Sequence, residues 1–309
     1  MNQVTFIEDN MNIIQTKNLT KRYGDTIAVD NVSINVKQGE IYGFLGLNGA
    51  GKTTTIRLLL GLIKPDSGTC MLFEKEPKQA TKIWNDVGYL VETPYSYPNL
   101  SVIENLEVIF KLRGLSDKSL IDEIIDQLKL TQYKNRKEKN LSLGNKQRLG
   151  LAKALIHKPK LLIIDEPING LDPAGIVEIR EFLKELAENH NTTIFLSSHI
   201  LSEIAKLTSR IGIIHNGALI KEIKSSELHE QIIKKLCITT NNNEKAIKIL
   251  NEKGFKCTTN NETIELLRDE AINSPEEIAT TLVQHHIPPK KLYVFEEDLE
   301  HYFLRIIKE

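Results

Sequence analysis

Residues 41–53 read Ile41-Tyr42-Gly43-Phe44-Leu45-Gly46-Leu47-Asn48-Gly49-Ala50-Gly51-Lys52-Thr53. A short apolar run ends in glycines and is followed at once by a helical pattern. Its apolar residues, Ile56, Leu59, Leu60 and Ile63, recur at helical spacing until Pro65. Gly46 to Thr53 fits G-x-x-x-x-G-K-[ST] in the strand–loop–helix context that the pattern requires. The glycines let the backbone turn its N–H groups inward on an anion, and the helix start adds partial positive charge at the same place. Lys52 then has the reach to touch β and γ phosphates, and the Thr53 hydroxyl is a Mg²⁺ ligand. Thr54 continues the same segment.

Further runs extend the pattern on both sides. Asn12 to Leu19, Ile27 to Val36 and Val87 to Val91 read as strands. Leu161 to Ile164, Ile194 to Leu196 and Ile211 to Ile214 are short apolar runs of the kind buried in a mostly parallel sheet. Periodicity alone leaves buried helix open for them. Helical segments at Ile176 to Glu188 and Ile200 to Leu207 supply crossovers, so the class is α/β. Residues 97–157 are mostly helical.

Ligands gather at the carboxyl ends of strands in such sheets. One run ends in Asp165-Glu166 and another in Ser197-Ser198-His199. Unpaired carboxylates are costly to bury. Asp165 fits a Mg²⁺ partner through water, and Glu166 a general base for water attacking a γ-phosphate. The bland alternative is a pair that caps a loop before Pro167. His199 is placed to contact the γ-phosphate, although a lone histidine is more often structural.

The chain has 309 residues, 40% hydrophobic and 26% charged, with a net charge of -1. This composition excludes a disordered tail, a collagen-like chain and a disulfide scaffold. The charge gives no argument for nucleic-acid binding. Cys70, Cys237 and Cys257 lie far apart and read as reduced thiols. No apolar run is long enough to span a bilayer. Residues 1–11 read as a short tail, 12–224 as a nucleotide-binding domain with a helical lobe at about 93–157, and 225–309 as a small α+β domain. The last follows β-α-β-β-α-β, as in a ferredoxin-like split unit, plus a final helix.

Taken together, these residues resemble the ATP-binding subunits of ABC transporters, over roughly 12–224. Tyr23 matches the aromatic that stacks on adenine. Gly46 to Thr53 matches Walker A, and Leu161 to Glu166 matches Walker B with its catalytic glutamate. Leu141-Ser142-Leu143-Gly144-Asn145-Lys146-Gln147-Arg148 matches the signature, Asn169 to Asp172 the D-loop, and His199 the switch histidine.

The resemblance implies a P-loop core with a mostly parallel sheet, and an ATPase using ATP and Mg²⁺. Thr53, Glu92 and Asp165 are the implied metal residues. Ser142 to Asn145 would close over ATP held by the opposite copy in an ATP-dependent homodimer, with Asp172 in the D-loop. The partners implied are integral membrane permease subunits that hold the chain at the cytoplasmic face of the membrane, with no nucleic acid. Docking is expected around Tyr95 to Glu104, on Tyr95, Tyr97, Leu100 and Val102.

Three positions depart from the family pattern. Leu143 stands where glycine is usual and suits a β-region backbone, and Asn145 replaces glutamine. Glu92 stands where a glutamine that bonds Mg²⁺ or its water is usual. Glu92, the Leu-Ser-Leu-Gly signature and the C-terminal extension resemble the bacitracin-resistance and lantibiotic-immunity subgroup, which expels peptide antibiotics. A soluble ABC protein acting on ribosomes or DNA, and an exporter of an unrelated substrate, are the alternatives.

Overall fold

The computed structural model describes residues 11–78, 81–92, 95–260 and 262–308. Residues 1–10 of the expected tail lie outside it. The chain divides into two compact units after Ser226.

In the first unit, β1 (Asn12–Tyr23), β2 (Thr26–Val32) and β3 (Asn35–Lys37) precede the central strand β4 (Ile41–Leu45). Helix α1 (Lys52–Leu59), β5 (Ser67–Leu72) and β6 (Val87–Leu90) follow. The helical stretch comprises α2 (Val102–Leu112), α3 (Ser119–Gln127) and α4 (Leu143–Leu155). Then come β7 (Leu161–Ile164), α5 (Pro173–His190), β8 (Thr193–Ser198), α6 (Leu201–Ile204), β9 (Arg210–His215) and β10 (Ala218–Lys224).

Two sheets share this unit. One has the order β10-β9-β4-β8-β7-β6, parallel except for β10. The other is antiparallel: β1 pairs with β2, β3 and β5. The apolar alternation expected to make one strand of Ile27 to Val36 is instead split between β2 and β3, which pair with different stretches of β1. Alternation marks a half-buried strand but does not name its neighbour.

Every residue of β4, β7 and β8 is buried. Tyr42 and Phe44 each pack on Phe195, with centroids 5.6 and 5.5 Å apart. Burial of such rings stabilises by roughly 1.5–3 kcal/mol apiece. Helix α4 lies so close to β6 that a Cβ on Gly88 would stand 2.2 Å from the Ala154 carbonyl oxygen. Gly88 thereby sets how near the signature helix comes to the sheet.

The second unit holds α7 (Leu228–Gln231), β11 (Lys234–Thr239), α8 (Asn243–Glu252), β12 (Cys257–Asn260) and β13 (Thr263–Leu266). Helices α9 (Asp269–Asn273) and α10 (Pro275–Gln284), β14 (Lys291–Glu296) and α11 (Leu299–Ile306) complete it. Its sheet runs β12-β13-β11-β14 with every pairing antiparallel, the arrangement of a split β-α-β-β-α-β unit. A short additional helix, α9, precedes α10; Ser274-Pro275 separates the two, and proline at the first helical position needs no N–H partner.

Candidate active site

The loop after β4 is held from both sides. Gly46 donates its N–H to the Ser198 carbonyl at the end of β8 (3.1 Å). Gly51 has φ of 109°, and a Cβ there would stand 2.3 Å from the Ala28 carbonyl oxygen. Leu47, Asn48 and Gly49 are exposed, whereas Ala50 and Lys52 are buried. The Lys52 ammonium donates to the carbonyls of Gly46 (2.8 Å) and Leu47 (3.3 Å) and pairs with Glu166 Oε1 at 3.3 Å. A buried ammonium needs such partners. An incoming phosphate therefore exchanges bonds at Lys52; it does not meet a bare charge.

Because β4, β8 and β7 are neighbours in the sheet, their carboxyl ends bring three segments together. The Thr53 hydroxyl donates to Asp165 Oδ2 at 2.7 Å. Ser197 Oγ donates to Asp165 Oδ1 (2.5 Å) and accepts the Glu166 N–H (3.0 Å). Glu166 has φ of 52°, and its Oε2 lies 2.8 Å from His199 Nδ1. Lys52, Thr53, Asp165, Glu166, Ser197 and His199 thus form one connected polar network. Thr54 is half-buried one residue further along α1.

Thr53 and Asp165 offer the hard oxygens that suit Mg²⁺, an ion that keeps several waters and takes phosphate oxygens besides. Among the described residues no group of three or more His, Cys, Asp or Glu side chains could cage a metal. Two protein oxygens beside a phosphate loop fit an ion that arrives with its nucleotide. Glu92, expected with them, pairs instead with the Arg57 guanidinium of α1, and its φ is 59°. Tyr23 ends β1 half-exposed, with the Lys21 ammonium 5.5 Å from its ring centroid.

Ser142 caps α4 by accepting the Asn145 N–H at 3.3 Å. Leu143 is the first helical residue of α4, and not β-region as its sequence suggested. No glycine-like backbone is needed there. Leu143 is 58% exposed, and its side chain lies against Gly170, where a Cβ would meet it at 2.4 Å. Asp172 caps α5 by accepting the Gly175 N–H at 3.0 Å.

Three residues gain roles the sequence did not assign. Gln147 of α4 donates to the carbonyls of Glu166 and Pro167, both at 3.3 Å, and so ties the signature helix to the loop of the paired acids. Ser197 bridges those acids, and Arg57 takes Glu92. Gln147 and Ser197 stand inside quoted motifs, but only the fold supplies their partners.

A groove of about 740 Å³ opens beside Arg57, Trp84, Tyr89, Glu92 and Tyr95. Of the side chains expected for docking, Tyr95 is 82% exposed and Tyr97 half-exposed, while Val102 is fully buried as the first residue of α2. Its place behind the Ser101 cap removes it from the surface.

A phosphate loop, paired acids and a histidine at neighbouring strand ends, with a capped helix beside them, define a P-loop nucleotidase of the ATP-binding cassette class. A model of the ABC transporter family matches residues 29–169. The bacitracin transport ATP-binding protein BcrA of Bacillus licheniformis is 44% identical, over 96% of this chain and 97% of that protein. The lantibiotic transport ATP-binding protein SrtF of Streptococcus pyogenes is 39% identical over 71% of this chain and 95% of its own. The cassette MJ0796, solved as a dimer with ADP and phosphate after hydrolysis, superposes with a TM-score of 0.63 at 28% identity, over 69% of this chain and 98% of that one. The chain belongs to the ABC transporter ATP-binding family and is an ATPase of that family. Among the described residues no helix is long and apolar enough to cross a membrane.

Proposed function

We propose that this chain powers removal of a peptide antibiotic of the bacitracin or lantibiotic kind, through separate permease subunits at the cytoplasmic face of the membrane. The observation that carries the reading is the end-to-end match to the bacitracin transport protein. It runs through the C-terminal unit, whereas the lantibiotic transport protein matches 71% of the chain. The test is a bacitracin and lantibiotic susceptibility assay in a sensitive host expressing the chain with the permease encoded beside it. Protection that vanishes with Lys52→Ala is expected. Unchanged susceptibility to both drug classes would sink the reading.

At the site, the loop N–H groups, the N-terminus of α1 and Lys52 hold the phosphates of ATP, and Tyr23 stacks on the adenine. Thr53 and Asp165 would hold Mg²⁺, which would supply charge neutralisation to the phosphates. Glu166 takes a proton from the attacking water, and His199 orients Glu166 through the 2.8 Å contact. Glu92 pairs with Arg57 of the P-loop helix, from where its carboxylate would join Thr53 and Asp165 at the metal. Ser142 to Asn145 serve the ATP of a second copy, with Asp172 holding the intervening loop, so association follows ATP and dissociation follows hydrolysis. The groove beside Glu92 and the exposed Tyr95 and Tyr97 receive the permease.

A further inference from the structure

β8 ends in two adjacent serines that are used differently. Ser198 bonds within its own turn: its Oγ accepts the Ile200 N–H at 3.0 Å and donates to the Ile200 carbonyl at 3.4 Å. Ser197 reaches across the sheet, to Asp165 and Glu166, which lie 32 and 31 positions away along the chain. Side chains two apart on a strand share a face. Phe195, two residues before Ser197, packs on Tyr42 and Phe44. Ser197 continues that apolar face with a hydroxyl on a residue that is 0% exposed. A buried hydroxyl is unfavourable unless it is bonded, and an apolar side chain would fill the position without that cost.

The bonds of this hydroxyl have a fixed direction. Ile164 opposes Leu196 in the parallel pairing of β7 and β8, so Asp165 comes beside Ser197 where the two strands end. A serine hydroxyl has one proton. Its oxygen accepts the Glu166 N–H at 3.0 Å, and its proton goes to Asp165 Oδ1 at 2.5 Å. The Glu166 peptide is itself held. The residue is left-handed, with φ of 52°, and its carbonyl accepts from the Asn169 N–H at 3.1 Å and from Gln147 Nε2 at 3.3 Å. The other oxygen of Asp165, Oδ2, takes the Thr53 hydroxyl at 2.7 Å. Thr53 is a metal residue in the reading above, so its oxygen has a second claim on it. Ser197 is the donor that can keep its bond to Asp165 whether the metal is present or not.

We infer that Ser197 is a positioning residue for the metal site: its hydroxyl fixes the Asp165 carboxylate through Oδ1 and leaves Oδ2 on the side of Thr53. The inference rests on Thr53 and Asp165 being the metal residues. A partner that orients a ligating carboxylate acts on metal affinity without touching the metal. Ser197 acts in that way, from inside the sheet.

The test is Mn²⁺ binding by the full chain saturated with ADP, read from the free Mn²⁺ signal in electron paramagnetic resonance. Mn²⁺ takes oxygen ligands as Mg²⁺ does. Removing such a carboxylate partner typically weakens metal binding by about 10- to 100-fold, and Ser197→Ala should do the same. ADP affinity in EDTA should be unchanged, because the phosphate loop and Lys52 are untouched. Ser198→Ala, an equal deletion one residue on, should leave Mn²⁺ affinity as it was. Mn²⁺ binding that is lost in Asp165→Asn but intact in Ser197→Ala would overturn this inference alone. Mn²⁺ binding indifferent to Asp165→Asn would remove the metal reading and the inference with it. An equal Mn²⁺ loss in Ser198→Ala, or a matching loss of metal-free ADP binding in Ser197→Ala, would mean general damage to β8 and would overturn it too.

Discussion

The starts of α1 and α4 are built differently. Behind the N-terminus of α1, Lys52 and Thr53 are bonded into a network with Asp165, Glu166, Ser197 and His199. At the N-terminus of α4, Ser142 and Leu143 are exposed, and the cap is a single 3.3 Å bond. The rest of α4 is anything but loose: Gln147 grips the loop after Asp165, and Arg148 pairs with Glu178 of α5 at 2.8 Å. One start is organised from within its own copy. The other is a rigidly mounted tip turned to solvent, as a surface meant for a second copy would be.

The sharpest way to break this contrast is Glu166→Gln. It removes the base but keeps the size of the side chain, so turnover should fall by about 10²–10⁴ while ATP binding persists. Single-turnover hydrolysis reads this, and normal turnover would take Glu166 out of the base role. Lys52→Ala deletes a charge-assisted phosphate contact worth about 1.5–3 kcal/mol. Nucleotide affinity measured by titration calorimetry should weaken by about 10- to 150-fold.

The far end of α4 offers a stability test. His157 follows the helix, donates from Nε2 to the Val87 carbonyl at 3.1 Å, and is pushed down to about 4 by burial and by the Arg113 guanidinium. Its ring stays neutral in the fold but protonates near pH 6.5 when unfolded. The unfolded chain then binds the extra proton, so stability is full above pH 6.5 and is lost as pH falls toward 4. Allowing for the solvent-reached part of the ring, the loss is on the order of 1–2 kcal/mol. Thermal unfolding across that window should flatten in His157→Gln, whose amide keeps the bond without titrating.

Ser142→Ala tests the bare tip. The lost cap costs about 1 kcal/mol of helix stability. If the tip serves a second copy, cooperative ATP hydrolysis drops further than this cap loss accounts for, whereas nucleotide binding to one copy stays unchanged. The smallest effect is expected from Glu92→Gln. The partly exposed pair with Arg57 is worth about 0–1 kcal/mol, so ATPase activity should stay within about fivefold. A dead variant would give the carboxylate a catalytic duty of its own.

Much of this was legible along the chain because it is local. A glycine-rich turn, the lysine and threonine after it, and two acids closing an apolar run are written within a few residues, and backbone chemistry makes each do the same thing in any setting. The α/β class and the small terminal unit follow from periodicity, which depends only on neighbours in sequence. Partners are another matter. That β1 pairs with β5, that Glu92 meets Arg57 and that Thr53 meets Asp165 were decided by contacts between residues about 35 to more than 100 positions apart. Side-chain spacing says which face a residue occupies, but only packing in three dimensions says what stands opposite.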